Sequence, residues 1–291
     1  MIWLAGAVGA ALIVLVLRDI FHTLGHPEGQ GSVSNLVLRA AWRLSRRKGG
    51  NGHFARLVGP LALLAVIILW GAVAVFGWAL LYWPSMPAGF TYASWPVGGS
   101  SGFLDGLYLS MVTISTLGFG DIVPTSVWLR VITPLEALFG FVLLTAAVSW
   151  ILQIYPALTR RRVLAIRLSV LRRADVAMTM SDPRSLLLPK LLDELSIAIT
   201  QAGVDLREYS ETYYFRDANP DDSLAASLPY AVELGRIGAT ASAVDVRISA
   251  TVLNCALEEL AAVLRHRFRH EGDSMPEVLA AYATDHGHPP A

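Results

Sequence analysis

Thr113-Ile114-Ser115-Thr116-Leu117-Gly118-Phe119-Gly120-Asp121 decides how this chain is read. It closes an apolar run from Phe103 to Ser115, with Ser101 placed to cap a helix there and Asp105 in its first turn. A helix of that size rises only about 20 Å, short of the roughly 30 Å of a bilayer's hydrocarbon. It suits an element that enters and leaves an apolar layer from one side. Beyond it stand Gly118 and Gly120, each free to take a positive φ so that alternate carbonyls point the same way. Irregular backbone at membrane depth is tolerated only when buried in protein or lining a watery path. The carbonyls of Thr116, Leu117, Gly118 and Phe119, with the Thr116 hydroxyl, form a ladder of oxygens suited to replacing a cation's water shell. The preceding helix aims its partially negative C-terminus at the same place. Leu117 and Phe119 are expected to pack outward, holding the strand against its own helix.

Long apolar runs flank this stretch. Leu57 to Trp83 is 27 residues without a charge, and Val131 to Tyr155 is broken only by Glu136. Pro60 and Pro134 are read as lying in the opening turns of these segments, where a missing N–H costs little. A third run, Ile2 to Leu17, has no charge. No basic residue precedes it and Arg18-Asp19 follows, so it reads as a retained membrane helix rather than a cleaved leader. The whole chain of 291 residues is 54% hydrophobic and only 16% charged, against about a quarter charged in soluble domains. A purely soluble globule is therefore excluded, and with 23 Lys+Arg balancing 23 Asp+Glu there is no basic field for nucleic acid.

Basic residues set the expected orientation. Arg18, Arg39, Arg43, Arg46, Arg47, Lys48 and Arg56 lie between the first two runs, and Arg160, Arg161, Arg162, Arg167, Arg172 and Arg173 follow the third. From Pro84 to Leu129 there is no Lys or Arg. The N-terminus is expected outside and the C-terminal region in the cytoplasm of a multi-pass cell (inner) membrane protein. Trp83, Trp95 and Trp128 then belong near the outer interface, and Trp150 and Tyr155 near the inner one.

Thr116-Leu117-Gly118-Phe119-Gly120-Asp121 resembles the selectivity filter of potassium channels, usually written T-V-G-Y-G-D, with leucine for valine and phenylalanine for tyrosine. Thr113-Ile114-Ser115 matches the end of that family's pore helix. The resemblance covers about Leu57 to Tyr155 and is that of a bacterial-type, single-pore-loop module. It implies an all-α membrane protein with an outer helix at 57–83, a pore helix at 103–115, a filter at 116–121 and an inner helix at 131–155. An extra membrane helix at 1–24 and a basic amphipathic linker at 25–56 precede this module. A helical cytoplasmic domain at 159–270 and a flexible tail at 271–291 follow it. The resemblance also implies a passive potassium channel, with K+ as permeant ion at the carbonyls of residues 116–119, no cofactor and no enzymatic activity. Thr113, Ser115 and Asp121 would support the filter. One filter per chain implies a homotetramer.

In this family the helix after the filter bends at a glycine about 20 residues beyond it, which places Gly140 at the hinge; close helix packing is the other reading of that glycine. Thr145, Ser149 and Gln153 form a polar stripe, either a wet cavity wall or interhelical hydrogen bonds. Glu136 is expected to brace the filter, to add negative potential outside it, or to pair with Arg130. A non-selective or sodium-passing pore and a nonconducting receptor remain alternatives at this stage.

No helix carries arginines at every third position, so a voltage sensor is not expected. In Ser32 to Lys48, Val33, Leu36, Val37, Ala40 and Leu44 share one face, with Arg39, Arg43, Arg46 and Arg47 opposite, a pattern suited to anionic lipid. Asp19, His22 and His26 could share a helical face as a metal or proton site, but the histidines read as ordinary interfacial residues. Past Arg160 the apolar spacing is helical, with no β-rich or Gly-rich phosphate loop. That region either binds an unknown cytoplasmic ligand or assembles the tetramer. Asp217-x-Asn219-x-Asp221 lacks the glycine and distal acid of a calcium loop and reads as capping. Cys255, the single cysteine, is expected in a packed core.

Overall fold

A computed structural model describes residues 2–25, 31–47, 53–93, 102–179, 187–217 and 219–288. The structure is 82% helical. Among the described residues the order is α1 (Ile2–Gly25), α2 (Ser32–Arg47), α3 (His53–Tyr82), β1 (Phe90–Tyr92), α4 (Phe103–Ile114), β2 (Ile122–Pro124) and α5 (Val127–Arg173). Then come α6 (Val176–Thr179), α7 (Leu188–Glu208), α8 (Leu224–Ala239), α9 (Val244–Phe268) and α10 (Met275–Asp285). Three of these helices, α1, α3 and α5, are long and apolar enough to cross a membrane. Trp95, the Gly98–Ser101 loop, His26 and Lys48 lie outside the described residues.

The chain divides into two compact units, 1–37 with 62–152, and 38–61 with 153–291. In the first, α1 meets α3 backbone to backbone. A Cβ on Gly9 would stand 2.4 Å from the Gly77 carbonyl oxygen, so only glycine permits the approach. Ile13, Trp78, Tyr82, Phe90, Leu109, Ile122 and Leu129 form one buried cluster that joins α1 and α3 to α4 and the strands. The strands themselves, antiparallel with Thr91 opposite Val123, were not expected from an all-helical reading. They matter because β2 follows Gly120 and Asp121 at once. Pairing it to β1, with Ala93 N donating to Asp121 O at 2.8 Å, ties the exit of the irregular segment to the chain before α4.

The second unit packs the leucine faces of α7, α8 and α9 together, with Leu192, Leu195, Ile199, Leu228, Leu234 and Leu257 buried. The arginines after the third apolar run are not a loose basic patch. Arg160 forms a two-point pair with Asp205 at 2.9 and 2.7 Å, and Arg161, 6% exposed, donates to the carbonyls of Thr212 and Phe215. Arg161 and Arg162 share Asp217, Arg172 and Arg173 share Asp221, and Arg167 pairs with Glu194. Asn219 Oδ1 accepts from Asp221 N as a cap, as its spacing suggested.

Several boundaries differ from expectation. Residues 275–285, read as part of a flexible tail, form α10, because Val278, Leu279 and Tyr282 bury one face of it. Cys255 is exposed rather than core, since α9 turns Leu253 and Leu257 inward instead. The inner helix does not end near Tyr155. It continues as α5 to Arg173, passing through Pro134 and Pro156. Pro60 likewise lies two turns into α3, where it removes one helix hydrogen bond. On α2 the face covered by protein is Ser34, Leu38 and Trp42, while Leu36 and Leu44 are exposed. Both faces of α2 hold apolar residues, and the sequence pattern did not single out Leu38 and Trp42.

Candidate functional site

The segment after α4 has alternating backbone handedness. Thr116, Gly118 and Gly120 have φ of 59°, 55° and 78°. Nothing lies within 4 Å of a Cβ built on either glycine, so the backbone angle, not space, is what requires glycine there. Thr116 joins them at a cost of roughly 1–2 kcal/mol for a residue with a Cβ; sequence reading assigned the positive angle to the glycines alone. The N–H groups turn back onto the C-terminus of α4. Thr116 N donates to Thr113 O at 2.9 Å and Leu117 N to Val112 O at 3.0 Å. Ser115 Oγ also donates to Met111 O at 2.6 Å. The carbonyls of Thr116, Leu117, Gly118 and Phe119 accept no hydrogen bond among the described residues.

Leu117 and Phe119 do not pack on their own helix. They are 62% and 67% exposed, because the tight return to α4 turns them away from it. Thr113 is buried beneath the segment.

Two carboxylates brace this arrangement. Asp121 accepts from the Tyr108 hydroxyl of α4 at 2.7 Å and from Ile122 N at 3.2 Å. Glu136 is fully buried, and its two oxygens accept from Tyr82 Oη at 2.6 Å and Ser110 Oγ at 2.5 Å. Of its three expected roles, the contacts are those of a brace linking α3, α4 and α5. Gly140 contacts the end of α4, where a Cβ would be 2.0 Å from the Ile114 carbonyl oxygen, and α5 runs unbroken through it. Thr145 is exposed, its hydroxyl bonded to Phe141 O at 2.9 Å, and Ser149 is half-buried.

Asp19, weighed with His22 and His26 as a possible metal or proton site, is 3% exposed and accepts from Trp70 Nε1 and Ser34 Oγ, each at 2.8 Å. Val33 N and Ser34 N also donate to it, so this carboxylate of α1 caps the N-terminus of α2. No metal-holding group of acids, cysteines and histidines exists among the described residues. Arg39 and Arg43 are exposed on α2; the side chains of Arg46 and Arg47 lie outside the described residues.

A short helix inside an apolar unit, an extended segment with carbonyls left over, and flanking membrane-length helices define a pore-loop ion-channel module. Residues 63–156 match the family described as "Ion channel". The chain is also similar to "Uncharacterized membrane protein YdjJ" of Bacillus subtilis (strain 168), 25% identical over 163 residues, or 54% of this chain and 46% of that protein. The chain thus spans about half the length of that curated relative. No solved structure matches it.

Proposed function

We propose that the chain is a passive, potassium-selective channel that conducts as a homotetramer. The observation that carries this reading is the alternation of positive φ at Thr116, Gly118 and Gly120 with the intervening carbonyls unbonded. Four copies around an axis give those carbonyls a dehydrated cation to coordinate. The same assembly covers Leu117 and Phe119, which a single chain leaves open. Asp121 adds negative potential at the mouth. Thr145 and Ser149 line the cavity below, and Gly140 keeps α4 close to α5. The arginine-rich segments face the cytoplasm of the cell membrane, with the N-terminus outside. There, exposed Leu36 and Leu44 of α2, with neighbouring arginines including Arg46 and Arg47, rest on anionic lipid.

Purified protein in liposomes with opposed potassium and sodium gradients tests this. Potassium flux at least tenfold above sodium flux is the expected result. Equal fluxes would favour a non-selective pore, and no flux under any gradient would favour a nonconducting receptor. Native mass spectrometry gives the stoichiometry independently: four chains are expected, and a stable dimer would remove the fourfold filter.

A further inference from the structure

The second unit holds a cavity of about 660 Å3, the size of a small-molecule site. Its walls come from stretches far apart in sequence: Arg39, Trp42 and Arg43 of α2, Tyr213 and Tyr214 after α7, and Arg267 to His270 where α9 ends. Four arginines thus meet at one opening.

Several other arginines of this unit are neutralised within it. Arg160, Arg161, Arg162, Arg167, Arg172 and Arg173 all have carboxylates. Among the described residues Arg39, Arg43 and Arg269 form no ion pair. Asp285, the carboxylate nearest the aromatic wall, is already engaged. Its Oδ2 accepts from Trp42 Nε1 at 3.1 Å and from the Tyr213 hydroxyl, and its backbone oxygen accepts from Arg216. Asp285 and Glu271 line the same cavity, so its four arginines outnumber its carboxylates by two.

Guanidinium forks favour phosphate oxygens over a single carboxylate because two parallel N–H bonds fit each group. Arg269 is held in a left-handed turn, with φ of 58°, which projects it from the end of α9 rather than continuing the helix. Behind the rim, Tyr213 and Phe268 stack with ring centroids 4.1 Å apart, and Trp42 lies 5.6 Å from Tyr213. These rings are locked by packing and offer a flat apolar wall. We propose that this cavity binds a dianionic phosphate monoester, held by Arg39, Arg43 and Arg269. This assignment does not depend on what the pore conducts. A soluble nucleotide would add its ring against the aromatic wall, and a lipid headgroup would offer the same phosphate from the membrane.

The test uses the full-length protein in detergent and in vesicles. A fluorescent ADP derivative is titrated with unlabelled ADP and pyrophosphate as competitors, at constant ionic strength set with chloride. In parallel, vesicles containing phosphatidic acid are compared with phosphatidylglycerol vesicles of equal surface charge, whose phosphate is a diester. Saturable ADP binding, weakened at least tenfold by the double variant Arg43→Gln/Arg269→Gln, supports a soluble ligand. Preference for phosphatidic acid vesicles, lost in the same variant, supports a lipid source. Arg172→Gln removes one charge from a paired arginine elsewhere and should change either readout less than twofold. Absence of saturable binding to both probes, or equal affinity in the double variant, overturns the proposal.

Discussion

Several carboxylates of the two units are held by different kinds of partner. In the first, Asp19 and Glu136 are satisfied by hydroxyls, an indole and backbone N–H groups, with no guanidinium among their bonds. In the second, buried Asp205, half-buried Asp217 and the more exposed Asp221 are met by arginines, while Asp285 accepts from an indole and a phenol. The difference follows from the surroundings. An arginine placed at membrane depth brings its own insertion cost, about 2.5–3.5 kcal/mol at the centre, whereas tyrosine and serine donate without carrying charge. Where water reaches one partner, as with Arg160 at 45% side-chain exposure, an ion pair retains part of its hydration.

The contrast can be broken experimentally, most severely at the filter. Gly118→Ala should reduce potassium flux by more than tenfold or abolish selectivity against sodium. The backbone at φ of 55° resists a Cβ, and the carbonyl ladder must tilt to admit one. Unchanged reversal potentials in mixed potassium and sodium would dissociate those oxygens from conduction.

Next in size, Glu136→Leu strands two buried hydroxyl donors and should cost about 4 kcal/mol, while Glu136→Gln keeps an acceptor and costs less. Thermal unfolding in detergent measures both, and 1 M salt should leave the difference intact because no ion pair is involved. Arg161→Ala in the second unit should cost about 3 kcal/mol, through two orphaned carbonyls and a weakened hold on Asp217. The exposed pair of Arg167 and Glu194 sits at the other extreme. Arg167→Ala should move stability by less than about 1 kcal/mol, and that small effect should shrink further in high salt.

A pH series sharpens the comparison within the second unit. Burial raises Glu211 to about 7, so the folded chain keeps it protonated while the unfolded chain ionises it from about 4.5. Stability from this group therefore falls as pH rises between those values. His286 acts in the opposite sense. Burial foremost, then the nearby Arg161 and Arg216, lower it well below its usual range. The unfolded chain then gains protons that the folded chain refuses as pH drops below about 6.5. In the intact chain the two slopes oppose each other. Glu211→Gln should leave only the His286 slope, with stability rising as pH increases toward 6.5; a denaturant midpoint flat across that range would contradict the assignment.

How much of this was legible beforehand depended on whether the signal was local. The irregular segment after α4, its two glycines and the flanking apolar helices are written in neighbouring residues. The partners of Glu136 are not: Tyr82 and Ser110 lie 54 and 26 residues away, and no spacing rule joins them. The pairing of Thr91 with Val123 was hidden because three-residue strands leave no periodicity. Residues 275–285 looked like a fraying end because charged and small residues dilute a helical stripe that only Val278, Leu279 and Tyr282 complete. The capping role of Asp19 was hidden because the helix it caps starts 13 residues later.

That aspartate makes the outermost helix indispensable. Remove α1, and the buried Trp70 indole N–H loses its acceptor, while the first turn of α2 loses the carboxylate that terminates it. Gly77 would face lipid across a groove shaped for a backbone. A minimal pore trimmed to residues 57–155 should accordingly be a poor substitute for the longer chain, since its second span has been sculpted to carry a passenger.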